Sequence, residues 1–326
     1  MDGGARPPGR VSLVNLIVSR TLTSIPVLVM VALITFFLLR LIPGDPAAAI
    51  AGTDATPDQI AAIREMLNLD RPLLDQLLAW GSSILRGDFG VSITQSRPVL
   101  DVILERLPVT ISLGLYSLII AIPLGILFGV IAALKRGTTV DASVTTVALL
   151  GLSLPNFWVG LMGVLVFSVH LKWLPAMGYV SPENGIWPWI RSMTLPAAVI
   201  GVAQIGLLAR ITRSTILDIL RLDYIRTARA KGMSEARVVV RHALRNALIP
   251  IVTVIGAMFG LLIGGAVVTE AVFAIPGIGR LVIQSIVSRD YPVVQGILLL
   301  TAFSFVLINL LVDIIYTYLD PRVSYD

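Results

Sequence analysis

Hydrophobic positions along this chain gather into long unbroken runs rather than short alternating ones. A bilayer core about 30 Å thick takes roughly 20 apolar residues of helix, and six stretches fit that pattern. They run from about Leu22 to Ile42, Val109 to Leu134, Val144 to Val169, Leu195 to Ile211, Ile249 to Phe273 and Val293 to Leu319. The fourth is short for a span, and the third is long enough to need tilt or a break at Pro155. The pattern predicts an all-α polytopic membrane protein with about six transmembrane helices. Ala47-Ala48-Ala49 resembles a signal cleavage box. The run before it exceeds the roughly 7–15 residues of a signal h-region and includes Arg40, so the first span is expected to remain as an anchor.

Two segments between the runs carry helical patterns of their own. In 43–108, Thr56-Pro57-Asp58-Gln59 reads as an N-cap, first-turn proline and capping-box glutamine, with Ile60, Ile63 and Leu67 on one face. A second amphipathic run follows Pro72, with Leu74, Leu77, Leu78 and Leu85 apolar. The segment reads either as a small helical cap on the bundle or as a lid or docking surface for something delivered from outside. In 212–248, Leu217, Leu220, Tyr224 and Ala228 recur at helical spacing up to Lys231-Gly232, where glycine suits a helix stop. A second helical run goes from Glu235 to Ala247. This loop reads either as a basic helix on anionic headgroups or as a rigid knob fitting a groove on a cytoplasmic partner.

Composition agrees with lipid as the solvent. Apolar residues make up 56% and charged residues 14%, against about 45–50% and about 25% in soluble domains; mean hydropathy is +0.88. There is no cysteine, which removes disulfides, thiolate metal sites and thiol nucleophiles. The net charge of +5 reflects Lys and Arg held in cytoplasmic loops rather than affinity for nucleic acid. Nine Lys and Arg lie between Arg210 and Arg245, and this concentration places both termini in the cytoplasm by the positive-inside rule.

Several chemistries are missing. No G-x-x-x-x-G-K-[ST] phosphate loop occurs, so ATP cannot bind here in the P-loop manner. There is no HExxH, and His170 and His242, the two histidines, are too few and too far apart to suggest a metal site. No span carries the paired carboxylates of a proton-driven pump. Any energy must arrive from another subunit.

Within the spans, polar residues stand out. Ser153, Pro155 and Asn156 break the third run, and unwound backbone in lipid is tolerated only beside protein or a watery cavity. These residues, with Gln204 and Asn309, are candidates to line a pathway, against the plainer reading of packing kinks and interhelical contacts. Asp313 lies roughly 9 Å inside the sixth run and must face protein or water, either in an interhelical contact or on the pore. Glu270 falls near the outer end of the fifth run, where a charge costs little; a structural contact near an outer gate is favoured over substrate binding. Gly256, Gly260 and Gly264 repeat every four residues and read as close helix packing, as do Gly125 and Gly129.

The string YIRTARAKGMSEARVVVRHALRNALIP (224–250) resembles the EAA-type cytoplasmic loop of ABC importer permeases. It is most similar to the dipeptide, oligopeptide and nickel branch of the binding-protein-dependent permeases. Supporting strings are LIPGDPA (41–47), GDFGVSI (87–93), FAIPGIGRL (273–281) and LDPR (319–322), in family order over nearly the whole chain. Arg226 stands where the general motif begins with glutamate, while Ala228 and Gly232 match; the following proline comes late, at Pro250.

The resemblance implies a type I ABC importer permease fold. Residues 1–105 would form the first helix and an extracytoplasmic segment, 106–319 the permease domain with its coupling loop at 212–248, and 320–326 a cytoplasmic tail. It implies a coupling helix at 218–232, with Asp223, Tyr224, Arg226, Ala228, Lys231 and Gly232 engaging an ATP-binding subunit. Implied partners are a second permease, two ATP-binding subunits and an extracytoplasmic substrate-binding protein, with ATP and Mg on the partner subunits and no cofactor on this chain. The implied cargo is di- or oligopeptides or a related small solute. The rival reading is a self-contained secondary transporter or channel, which would show an internal repeat; none is evident.

Overall fold

The computed structural model describes residues 13–38, 45–52, 55–66 and 69–319. The outer end of the first expected span, the tail and its LDPR string lie outside the described residues. Apolar runs in lipid become helices because every main-chain N–H and C=O must be satisfied within its own segment. Four single helices are long and apolar enough to cross a membrane: α1 (Leu13–Leu38), α5 (Val99–Leu134), α8 (Ile186–Ile219) and α13 (Tyr291–Leu319). Two bent pairs bring the number of possible spans to six.

The first bent pair shows the break expected at Pro155 in the third run. Helix α6 (Thr139–Ser153) stops at Leu154-Pro155, and α7 (Asn156–Gly163), extended by a π-helical stretch (Val164–His170), leaves it at 108°. Proline has no N–H to continue the ladder and restricts the residue before it, which ends α6 here. Fifteen residues of α6 reach about 22 Å, short of a full core thickness. The turned segment then runs across the far end of the bundle, where Gly160 lies against Phe273 and Gly163 against Leu195.

The helix expected over 218–232 is shorter than its bounds and is set off from α8 by a turn. Helix α8 extends to Ile219, far beyond the expected end at Ile211, and a turn separates it from the short α9 (Asp223–Ala230). After Gly232 the chain re-enters through α10 (Glu235–Arg237) and a π-helical stretch (Val238–Ala243), which runs directly into α11 (Leu244–Val272). The run from 235 to 248 meets 250–259 at 51°, with Pro250 at the bend.

Helices α1 and α13 lie side by side and antiparallel. Arg20 Nε meets an Asp313 carboxylate oxygen at 3.0 Å, and Gln295 Nε2 donates to the Thr35 carbonyl at 2.9 Å. Leu13 and Leu319 therefore sit at the same end of the bundle. Gly256 of α11 packs against Val312 of α13, which puts the 220–243 loop at that end too.

Between α1 and α5 lie α2 (Pro46–Ala51), α3 (Pro57–Met66) and α4 (Leu73–Leu85). The capping box forms as expected: Thr56 N–H donates to Gln59 Oε1 at 2.9 Å, and Gln59 N–H to Thr56 Oγ1 at 3.4 Å. Asp45 caps α2 and receives Arg64 at 2.7 Å, and that guanidinium holds the Asp45 carboxyl below its ordinary range. Trp80 on α4 packs against Phe36 on α1 with ring centroids 5.5 Å apart and planes tilted by 50°. Leu73, Leu74, Leu78 and Leu85 stay exposed, so the expected apolar face of α4 is only partly used within the chain.

The tightest pairing is α5 on α8. A Cβ on Gly125 would strike Leu208, and one on Gly129 would strike Thr212 and the Ala209 carbonyl. Lipid supplies no hydrophobic drive between helices, so such close approach is what holds them. Gly256 uses the same device against α13; the surroundings of Gly260 and Gly264 lie outside the described residues. We expect Gly129→Leu to cost about 1–3 kcal/mol by overpacking. It should lower the thermal midpoint of the purified protein in detergent, whereas Gly81→Ala, with open space around its Cβ, should leave it nearly unchanged.

Candidate functional site

The site at the loop end is built from α9. Its eight residues turn two side chains inward: Ile225, fully buried, and Ala228, nearly so. They pack with Val238 against Ile219, Leu220 and Met233. The inward stripe is therefore Ile225–Ala228, not the expected Tyr224–Ala228. Tyr224 is half exposed, and its hydroxyl accepts from Asn246 Nδ2 at 2.8 Å, tying α9 to the first turn of α11. Arg229 forms a two-pronged pair with Glu235, at 2.6 and 3.1 Å, closing the loop across Gly232.

Gly232 adopts φ +77° with open space around its Cβ position. It is required by backbone conformation, not by crowding. Asp223, Arg226, Thr227, Ala230 and Lys231 all face outward. Asp223 and Arg226 meet at 3.2 Å while remaining exposed, a contact of little energetic weight. The result is a short helix fixed to α8 and α11 on one face and presenting charge on the other.

A second contact stiffens the same end. Asp141 in the first turn of α6 accepts from Arg213 Nε at 2.6 Å and Nη2 at 2.8 Å, and from Gly137 N–H at 3.0 Å. Asp141 is buried, and the paired fork fixes α6 to α8 in both position and angle.

Two buried carboxylates organise the far end. Glu270, fully buried rather than at a surface, accepts from Thr110 Oγ1 at 2.6 Å and from Arg280 N–H at 3.0 Å. Thr110 Oγ1 also accepts from Ile278 N–H at 2.8 Å. The glycines of FAIPGIGRL have a reason here: a Cβ on Gly277 would overlap the Glu270 carboxylate, and one on Gly279 would overlap the Val267 main chain. The expectation of a structural contact stands, but the charge is taken out of water entirely and its low assumed cost is corrected. The string also starts a helix that apolar runs alone did not announce, α12 (Ile278–Val287).

Asp290, fully buried just before α13, accepts from Ser92 Oγ at 2.5 Å, Thr94 Oγ1 at 2.6 Å, Thr94 N–H at 3.1 Å and Ile93 N–H at 3.2 Å. GDFGVSI is thus a turn docked on the α12–α13 connection. Sequence reasoning missed Asp141, Arg213 and Asp290 because their partners lie 72 to 198 residues away.

The pathway candidates do not form one cluster. Ser153 donates to the Leu149 carbonyl at 2.9 Å and is exposed. Asn156, half-buried, begins α7 after the break. Gln204 lies on α8 with Oε1 shielded and without a hydrogen-bond partner among the described residues. Asn309 and Asp313 lie instead on α13, which packs on α1, α5, α11 and α12, whereas α6 packs on α5 and α8, and α7 on α8 and α11. The salt bridge to Arg20 makes Asp313 an interhelical contact.

Replacing Asp290 with alanine should orphan four donors, at about 1–3 kcal/mol for each one left buried. In limited proteolysis the 88–98 segment of Asp290→Ala should be cut under conditions where the unaltered protein resists; equal resistance would contradict the docking described.

Comparison with known proteins bears on this geometry. Residues 125–325 match the binding-protein-dependent transport system inner membrane component family, and residues 13–114 match the corresponding N-terminal component. A Brucella abortus (strain 2308) protein named as a peptide transport system permease is 51% identical over 311 residues, covering 95% of this chain and 99% of that protein. The Escherichia coli (strain K12) glutathione transport system permease is 44% identical over 313 residues, covering 96% and 100%. The inward-facing MetNI methionine ABC transporter shares the fold: TM-score 0.52 at 19% identity, covering 68% of this chain and 96% of the matched one. The chain is an integral membrane protein of the binding-protein-dependent transport system inner membrane component family, an ABC importer permease with the type I fold.

Proposed function

We propose that this chain forms one half of the pore of an ATP-driven importer for di- or oligopeptides and that α9 is the part through which it receives work. The observation that carries the reading is the mounting of α9: apolar face buried on α8, hydroxyl tie to α11, charged face free. A lipid-surface helix would turn its apolar side toward acyl chains, whereas this one turns it into its own protein. ATP and Mg would be held by two partner subunits, and a substrate-binding protein would deliver cargo to the far end. A second permease, identical or similar, would complete the pore. The nine-cation stretch then faces the cytoplasm, as do both helix ends that share its side of the bundle. Relatives named for peptides and for glutathione support a peptide-like cargo.

The chain's own contribution is mechanical. ATP binding shifts the pore between states only through contacts that differ between them, and α9 is fastened to α8 and α11, so a push on it is delivered to both. The alternative, a secondary transporter, needs no such part.

Reconstitution of the chain into proteoliposomes with its ATP-binding, second permease and binding-protein partners should give dipeptide uptake only with internal ATP. Full-rate uptake without the ATPase subunits would overturn the proposal. Gly232→Val, which places a β-branched residue at positive φ at about 1–2 kcal/mol, and Ala228→Leu, which crowds Ile219 and Val238, should raise the ATP hydrolysed per peptide imported. Unchanged coupling in both would remove α9 from the mechanism.

A further inference from the structure

A polar cavity of about 240 Å³ opens at the far end of the bundle, lined by Arg106, Pro276, Gly277, Arg280, Leu281 and Gln284. Its walls hold two guanidinium groups and a carboxamide and no carboxylate. Each guanidinium has five N–H donors and no acceptor. Arg280 Nη1 donates to the Ala274 carbonyl at 2.7 Å. Arg106 Nη2 makes a long ion pair with Glu105 Oε1 at 3.9 Å, beyond hydrogen-bond reach, while Arg97 takes the other Glu105 oxygen at 3.0 Å. Most of the ten donors thus have no protein acceptor among the described residues. The nearby Glu270 carboxylate does not neutralise them by direct pairing, because it is occupied by Thr110 and by the main-chain N–H of Arg280.

The frame around these arginines is rigid. Arg106 sits on α5 four residues before Thr110, and Arg280 on the first turn of α12, the two elements that Glu270 and Thr110 fasten together. Two guanidinium forks held beside one cavity match the two oxygens of a carboxylate. Drug-sized pockets run about 300–1,000 Å³, so this smaller space suits a carboxylate and the residue that bears it. Both arginines are only half-buried, which keeps binding weak enough for release, as a transit site requires.

We propose that this cavity is an anion site at the outer mouth of the pore that receives the terminal carboxylate of the cargo. The proposal rests on the peptide-importer reading and deepens it: an unmodified linear peptide ends in a carboxylate, so such a site accepts cargo without regard to side chains.

The test is arginine-specific modification by phenylglyoxal on the assembled transporter in detergent, mapped by mass spectrometry. Titration with dialanine should slow modification of Arg106 and Arg280 about threefold once the dipeptide reaches twice its Kd. Dialanine amide should not, and Arg237 at the opposite end should react equally throughout. Protection by the amide as well, protection by added phosphatidylglycerol but not by dialanine, or no protection at all would each overturn the proposal. In proteoliposomes, Arg106→Gln should lower dialanine uptake about tenfold, as loss of one charge-assisted pair, with Arg106→Lys recovering part of it. Uptake by the unaltered assembly with no effect of Arg106→Gln would sink the anion site alone; no uptake by the unaltered assembly would sink the peptide-importer reading.

Discussion

The close approach of α5 and α8 is the constraint on which the rest of the structure depends. In lipid, two helices gain nothing by hiding apolar surface from each other, so they stay together through dispersion contacts at short range. Gly125 and Gly129 on α5 allow Leu208 and Thr212 on α8 to enter the space a side chain would fill. This pairing gives α8 a fixed axis. Asp141 and Arg213 then fix α6 to the same helix, and α9, mounted on the end of α8, acquires a firm base. Without that pair, a push on α9 would be lost in side-chain rearrangement before reaching the membrane.

The two ends of the bundle are built on different principles. At the loop end, charge is displayed: the outer face of α9 and the flanking arginines remain in solvent, where a partner can meet them. At the far end, two carboxylates are hidden. Glu270 and Asp290 are each surrounded by hydroxyl and main-chain donors that hold a chain connection in place. A carboxylate removed from water is costly unless its hydrogen bonds are restored, so each one enforces the conformation of the loop that supplies its donors. The family strings GDFGVSI and FAIPGIGRL are legible in those terms: the polar residues and glycines in them shape a loop around an anion.

Much of this was readable from residues alone. Apolar run lengths located four spans that fall on single long helices, the third and fifth runs fall on bent pairs, and the capping box at Thr56–Gln59 formed as written. Proline at 155 marked the break in the third run, because proline acts locally and the structure cannot override its missing donor. The bend of 108° was not readable, since its angle is set by packing of Gly160 and Gly163 against distant helices. The same holds for α9. Its existence follows from spacing, but its start at Asp223 depends on how far α8 continues, and apolar residues such as Ile216 and Ile219, which pack inside the protein, extend a helix without announcing where it ends. The pathway candidates lie on separate helices, because polarity within a span marks a residue that needs a partner, and for Asp313 a partner is Arg20 on another helix.

The central claim is that α9 meets an ATPase subunit with its charged face. The chain has no cysteine, so Lys231→Cys gives a single thiol on that face. Its rate of reaction with a membrane-impermeant maleimide, in inside-out vesicles, tests the claim most directly. The account predicts rapid labelling of the permease alone and strong protection once the ATP-binding subunits are added. Labelling that is equally fast with and without those subunits, or that occurs only from the opposite side of the membrane, would contradict it.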